Sequence, residues 1–364
     1  MERSFYLNNT LEMWIQWGAA HKLPSFVAKQ IFSWILKGEN DPKKFSNIKK
    51  EVKELLLTSF NWELPAIDTT LLSSDLSTKF LLRLFDGKLI EMVLMPSADR
   101  ITLCVSSQVG CRLNCSFCQT GKMGFSRNLS SGEILSQIMI ANRYLETEKV
   151  TNIVFMGMGE PLDNFEELII AVKLMTSPEG FNLSKHRVTV STAGLVPQIE
   201  ALGKEVAVSL AISFHTPFDE ERSALMPINR KYPLEELKKA LLAYPVQTRH
   251  GITLEYVMIK DKNDSLLHAK ELVKFAHGLK VKVNLIPLNP HPGSAMEPAL
   301  QESLRAFQNY LEERSISAPV RYSRGQDVSA ACGQLAVKRA TDLDQDPRLL
   351  WQQRRQEQRA NSSV

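Results

Sequence analysis

Cys111, Cys115 and Cys118 put three thiols within eight residues, at a C-x-x-x-C-x-x-C spacing. Thiolates are the soft ligands that iron–sulfur clusters need, and a short loop can present several of them to one cube. Such clusters normally take four cysteines. Here the local set stops at three, which leaves one iron open to a ligand that is not protein. The competing readings are a structural zinc site and a chance grouping. Zinc calls for a fourth ligand, usually through paired C-x-x-C or His spacing, and the sequence offers no such second half. Two further cysteines stand apart. Cys104, in an apolar run, reads by itself as a core residue. Cys332, in the Gly- and Ala-rich stretch from Gly325 to Gly333, suits an accessible thiol. No signal peptide or membrane span is readable, so metal or redox chemistry is expected rather than a disulfide framework, and the expected location is cytoplasmic.

The elements that must hold these residues follow from periodicity. From Ile101 onward, short apolar runs alternate with helical patterns. The runs are Thr102–Ser106, Asn152–Met156, Arg187–Ser191, Val206–Phe214, Ile252–Ile259, Val281–Pro287 and Pro319–Ser323; Ser131–Leu145, Leu234–Leu242 and Leu266–His277 read as helices. Repeated strand–helix–strand predicts an α/β fold with a parallel sheet, open or curled into a barrel. The cysteine triplet, Gly157-Met158-Gly159-Glu160-Pro161, Ser191-Thr192, Ser213-Phe214-His215 and Asn289 all fall at or just beyond strand ends, the face where such barrels build active sites. Taken singly these residues say little. A bare G-x-G marks any tight turn, His215 would be a hydrogen-bonded structural histidine, Asn289 before Pro290 a turn residue, and Glu91 an ordinary strand carboxylate. Upstream, Phe80–Pro96 reads as a β-hairpin with a type I′ turn at Asp86-Gly87. Residues 1 to about 60 read as helical, with Ser25 as an N-cap, Gly38 as a stop, and a second stretch over Asn47–Phe60. The last 25 or so residues read as a helical or disordered tail. The net charge of +4 is mild: compatible with an RNA partner, not an argument for one.

With the flanking residues included, the chain resembles the RlmN/Cfr family of radical S-adenosylmethionine (SAM) RNA methyltransferases. The likeness rests on Leu103-Cys104-Val105-Ser106-Ser107-Gln108-Val109-Gly110-Cys111, Met156–Pro161, Leu225-Met226-Pro227-Ile228-Asn229, Val283-Asn284-Leu285-Ile286-Pro287 and Asp327–Leu335, and spans roughly residues 80 to 336. It implies a partial (β/α)6 radical SAM barrel over 99–337, a helical N-terminal RNA-binding domain over 1–75, a β-hairpin extension over 76–98 and a polar tail over 338–364. It implies one [4Fe–4S] cluster per subunit on Cys111, Cys115 and Cys118, with SAM on the fourth iron and contacted by Gly159, Glu160, Ser191, Ser213, Phe214, His215 and Asn289. The expected reaction is methylation of C2 of adenine 2503 in 23S rRNA and of adenine 37 in tRNAs, using two SAM per turnover. In it Cys332 carries the methyl group, Cys104 resolves the protein–RNA adduct by forming a transient disulfide with Cys332, and Glu91 accepts the C2 proton. The partners implied are RNA and an external one-electron reductant such as flavodoxin or ferredoxin, with no membrane, and a monomeric state.

Residues 1–60 hold nine Lys or Arg against six Asp or Glu, including Lys43-Lys44 and Lys49-Lys50. That excess fits phosphate contacts as well as it fits a solvated helical face. Three other functions compete. One is a Cfr-like C8 methyltransferase, although Glu160-Pro161-Leu162 and Pro287-Leu288-Asn289-Pro290 look more like the RlmN branch. The second is a radical SAM enzyme with a non-RNA substrate, which would have no need of Cys104 or Cys332. The third is a zinc-containing RNA-binding protein without catalysis.

Overall fold

The computed structural model describes residues 3–246, 251–290, 295–335 and 346–362. One nine-stranded sheet organises the chain: β1 (Ala66–Leu72), β2 (Thr78–Arg83), β3 (Leu89–Pro96), β4 (Ile101–Cys104), β5 (Asn152–Phe155), β6 (Val188–Thr192), β7 (Ser209–Ser213), β8 (Ile252–Met258) and β9 (Val281–Pro287). Each strand pairs with its neighbours in sequence. From β4 to β9 every pairing is parallel, and from β1 to β4 every pairing is antiparallel. Helices cross between the parallel strands, and Gln301–Glu312 follows β9, giving six strand–helix units.

Alternation along the strands explains the curl. Val188, Val190, Leu210, Ile212, Leu254, Tyr256, Val283 and Leu285 point one way, into a hydrophobic layer beneath the helices. On the other face, Val93, Cys104, Val154, Thr189, Glu255 and Asn284, from six different strands, line one cavity of about 810 Å³. Strands about 4.8 Å apart would carry these side chains across more than 20 Å of a flat sheet. Sharing one cavity therefore requires the sheet to roll into a partial barrel with a polar lumen.

The N-terminal helices, Leu11–Ala20, Ser25–Leu36 and Lys50–Ser59, bury Trp14, Ile31, Ile35, Phe45 and Leu56 in a cluster of their own. That cluster meets the barrel at the helix Ser131–Leu145, through Met139 and through Gly132, whose N–H donates to Asn8 Oδ1 at 3.1 Å. A Cβ at Gly132 would lie 2.4 Å from that oxygen, so the contact demands glycine. A reciprocal capping box of Ser130 and Glu133 starts the same helix.

The structure departs from the sequence expectations in four places. Pro24, not Ser25, caps the second helix, since its fixed φ suits the entry. The hairpin turn has Gly87 alone at positive φ, with its N–H bonded to Leu84 O at 2.9 Å. That is a type I turn followed by a left-handed glycine; a type I′ turn needs two residues at positive φ. Pro319–Ser323 is not a strand and makes one isolated bridge, Leu285 to Val320. The extension is also wider than a hairpin, because β1 adds a third strand whose polar run Asp68-Thr69-Thr70 hid it.

The C-terminal Pro347–Ser362 is helical and packed. Trp351 is 2% exposed within the main core and donates from Nε1 to Leu76 O at 3.2 Å. Arg355, also buried, pairs with Glu148 at 3.4 Å and donates to Ser97 O at 2.9 Å. Among the described residues no helix is long and apolar enough to cross a membrane. Trp351→Ala should destabilise the fold by about 3–5 kcal/mol, read as a lower urea midpoint; an unchanged midpoint would mean that the helix is not docked.

Candidate active site

The cysteine loop leaves the C-terminal end of β4 and is closed at its base by a two-stranded ribbon, Gln108–Gly110 against Phe125–Asn128. Gly110 sits at φ +78, and a Cβ there would lie 1.9 Å from Gly124 O, so only glycine lets the loop close. Within the loop, Cys111 N–H donates to Gly124 O at 3.0 Å and Cys118 N–H to Cys115 O at 3.1 Å. Ser116 N–H donates to Leu225 O at 2.9 Å, tying the loop to the Leu225–Asn229 motif.

All five cysteines are free thiols. Burial pushes the Cys111 thiol up to about 12, and Glu160, Cys118 and Asp163 oppose its ionisation further. Cys115 is raised by burial and then by Cys118 and Cys111. Three thiols crowded so that each disfavours its neighbour's thiolate form a set that ionises readily only around cationic charge. That chemistry fits the thiolate-bound irons of a cluster.

The strand-end residues take distinct parts. Gly157 and Gly159 let the β5 end pass close to the β4 loop: a Cβ on Gly157 would lie 2.6 Å from Val105 O, and one on Gly159 2.5 Å from Gln108 Cβ. Glu160 is buried, and burial pushes its carboxyl up to about 7. Its oxygens accept from Leu162 N–H at 3.1 Å and Ala193 N–H at 2.9 Å, bracing the β5 end against the β6 end. Ser191 and Ser213 are half-buried on β6 and β7. The ring of Phe214 packs outward on Phe275 at 4.5 Å, leaving only its main chain for a ligand.

His215 stands at φ +63. Its Nδ1 accepts from Val257 N–H at 3.1 Å, and burial, with Arg222 nearby, pushes its pKa down to about 3. The ring is therefore neutral with its proton on Nε2, a buried donor with no hydrogen-bond partner among the described residues. The ring lies edge-on to Phe117 of the cysteine loop, at 4.6 Å. An unmet N–H of this kind is what a polar cofactor atom would satisfy. Asn289 donates to Ser323 Oγ at 2.8 Å and to Cys332 O at 3.3 Å, holding the loop that bears Cys332.

That loop is clamped from two sides. On one, Gln119 N–H donates to Gly333 O and Thr120 Oγ1 to Leu335 O, both at 2.8 Å, docking it on the cysteine loop. On the other, Asp327 accepts from Ser73 Oγ at 2.6 Å and Ser74 N–H at 3.0 Å, while Asp75 accepts from Gly325 N–H at 3.1 Å. Cys332 and Cys104 line the same cavity. Cys332 is open to the lumen rather than to bulk water; burial pushes its thiol up to about 11, with Glu255 and Cys118 adding to the rise. Cys104 is buried and its thiol raised, first by burial and then by Cys332.

Glu91, on the lumen-facing side of β3 with Val93 and Met95, is fully buried. Its carboxylate meets Lys79 Nζ at 3.3 Å, and Lys79, 4% exposed, also donates to Ser329 O at 3.3 Å. The structure thus brings Cys104 and Cys332 onto one lumen and docks the Cys332 loop on the cysteine loop, while Cys111, Cys115, Cys118 and the strand-end residues gather at the β4–β7 ends beyond its lining and Glu91 lies beside it on β3. Sequence reasoning passed over Lys79, Arg222, Glu255 and Asn284. Arg222 is fully buried and donates to Phe214 O, Ala193 O, Ser213 O and Asn229 Oδ1 at 2.6–3.2 Å. Asn229 and Asn284 lay within runs singled out for their resemblance, and each is the residue of its run whose amide holds a buried charged side chain.

The Radical SAM superfamily model matches residues 105–273. The chain is 44% identical to the dual-specificity RNA methyltransferase RlmN of Geotalea uraniireducens, over 92% of this chain and 97% of that one. It is 46% identical to the protein of the same name from Rhodopseudomonas palustris, over 85% and 82%. Among solved structures, a radical SAM methyltransferase from Sphaerobacter thermophilus superposes with a TM-score of 0.87 at 41% identity, covering 92% of this chain and all of that one.

Lys79→Met removes the cation from buried Glu91 and should cost about 3–5 kcal/mol of stability. The double variant Lys79→Met/Glu91→Gln should regain most of it. Additive losses in urea denaturation would show that the two side chains are not coupled.

Proposed function

The chain belongs to the RlmN family of radical SAM RNA methyltransferases, and from that premise we propose that it methylates C2 of adenine 2503 in 23S rRNA and of adenine 37 in tRNAs. The observation that carries this reading is Cys104 and Cys332 on one lumen, with the Cys332 loop docked on the cysteine triplet. The family implies a [4Fe–4S] cluster and SAM. Cys111, Cys115 and Cys118 would hold the cluster, one per subunit, and Gly159, Glu160, Ser191, Ser213, the Phe214 main chain, His215 and Asn289 would contact SAM. When bound, these groups supply a methyl cation equivalent and, by one-electron reduction, a hydrogen-abstracting radical.

The chain's own residues supply the rest. C2 of adenine is too electron-poor to take a methyl group directly, so Cys332 accepts it first as a thiolate nucleophile. Glu91, desolvated beside Lys79, takes the C2 proton. Once the carbon carried by Cys332 is bonded to C2 and the adduct has given up one electron and the C2 proton, Cys104 attacks the Cys332 sulfur as a thiolate. The sulfur–carbon bond breaks, the carbon leaves with the electron pair and takes a proton to become the methyl group, and an external two-electron reductant resets the Cys104–Cys332 disulfide. The raised thiol of Cys104 keeps it protonated and unreactive until that step. A flavodoxin or ferredoxin fits the electron donor, and we propose a cytoplasmic monomer.

RNA needs cations. Arg100, Arg187, Lys282 and Arg321 sit before or at the N-terminal ends of β4, β6 and β9 or beside them, around the mouth of the lumen. Burial first, and then Arg321 and Arg100, disfavour the charge on Lys282, so the mouth gathers positive charge where a phosphate chain would relieve it. The N-terminal unit, residues 1–75, would add contacts through Lys43-Lys44 and Lys49-Lys50. The target base would have to leave its stack to enter.

Anaerobic protein reconstituted with iron and sulfide, given SAM, a reductant and unmodified 23S rRNA fragment, should yield 2-methyladenosine by mass spectrometry. Cys332→Ala should abolish it; 8-methyladenosine as product would overturn the C2 assignment. Arg187→Glu/Arg321→Glu should flatten the log Kd against log salt slope for RNA by about 0.7–0.9 per lost contact. Equal slopes would exclude the mouth as the RNA path.

A further inference from the structure

The Val283–Pro287 motif has so far been given no part in the reaction. Its Asn284 is the fourth of seven residues in β9 and lines the lumen together with Cys104 and Cys332. Asn284 Nδ2 donates to Glu255 Oε1 at 2.9 Å. Burial pushes the Glu255 carboxyl up to about 7; its ionised form only accepts, and in that form the bond fixes which way the amide is turned. Asn284 Oδ1 is left buried with no hydrogen-bond partner among the described residues, and Nδ2 keeps a second hydrogen. A buried unmet acceptor costs about 1–3 kcal/mol, so its persistence calls for an explanation from function. Glu255, on the neighbouring strand β8, lines the same lumen and is itself buried, so the pair is held rigidly by adjacent strands.

An amide with a free acceptor and a free donor side by side is the complement of adenine, which offers an exocyclic amine next to a ring nitrogen. Resting on the RNA methyltransferase reading, we propose that Asn284, oriented by Glu255, recognises the target adenine inside the lumen, with Oδ1 accepting from the exocyclic amine. Adenine also occurs in SAM. The RNA base is favoured by position, since Asn284 lies within the strand, between the cationic mouth at Lys282 and the strand-end residues near Asn289. Guanine would set a carbonyl against Oδ1, and purine would leave Oδ1 unmet.

The test compares RNA fragments carrying adenosine or purine riboside at the target position. Wild type should lose about 10- to 100-fold in kcat/KM on purine, the discrimination expected of one good amide pairing. Asn284→Ala should treat the two alike within a few-fold and leave SAM affinity unchanged. Glu255→Gln, which keeps an acceptor for Nδ2, should retain the preference, and Glu255→Leu should lose it. Equal rates for wild type on both RNAs would overturn the assignment without any variant. So would a preserved preference in Asn284→Ala, or a SAM Kd raised tenfold in that variant with the preference intact. Wild type methylating neither RNA would instead refute the premise, and the assignment with it.

Discussion

One buried guanidinium sets the geometry of the upper rim. Arg222 reaches the main chain at the ends of both β6 and β7 and the side chain of Asn229. The next turn of chain presents Leu225 O to the cysteine loop. Burying a charge this completely costs several kcal/mol before its hydrogen bonds offset it. Burial lowers its pKa only to about 10, so it stays protonated at neutral pH. Its charge has a second effect, because it favours the thiolate of Cys115, against the burial and neighbouring groups that oppose it. The residue that fixes the rim therefore also favours ionisation of one thiol of the cysteine loop. Neutral His215 is the counterpart, since the same guanidinium helps to keep its proton off Nδ1.

The loop bearing Cys332 shows how position and movement are reconciled. Cys332, in the role proposed for it, could not be locked in a strand. It is carried instead on a loop with left-handed residues at Gly325, Ser329 and Gly333, gripped at both ends by hydrogen bonds beside the buried Ala330, Ala331 and Leu335. Such contacts contribute of order 1 kcal/mol each, enough to bias the loop toward the lumen without fixing it. Lys79 links that bias to Glu91, since it touches both the carboxylate and the loop's Ser329 carbonyl.

Much of this was legible in the sequence, for identifiable reasons. The parallel strands announced themselves because their outer faces are apolar, and the cysteine triplet because its spacing is local. Asn284 and Glu255 were hidden by the same alternation that revealed their strands: a polar residue facing a lumen looks like one facing solvent. Glu91 taken alone is an ordinary strand carboxylate because its partnership with Lys79 spans two strands, and nothing local marks Arg222, which sits in the short helix Asp219–Leu225 behind three acidic residues. The C-terminal stretch reads as helical or disordered, and its docking was hidden because Trp351 is a lone large apolar residue in a polar stretch, and the helix docks through that residue and through ion pairs.

Every strand of the sheet pairs with its neighbour in sequence, so the barrel can grow in the order in which it is synthesised, each parallel strand waiting for no more than one helical crossover. The segment with Cys332 and the helix with Trp351 break that rule. Their partners, Ser73, Asp75 and Leu76, lie some 250 residues earlier and must wait for nearly the whole chain. A nascent chain synthesised only as far as β9 would hold the cysteine triplet and Cys104 but lack Cys332. Synthesis order thus separates the three clustered thiols and Cys104 from the fifth thiol by the whole span of the sheet.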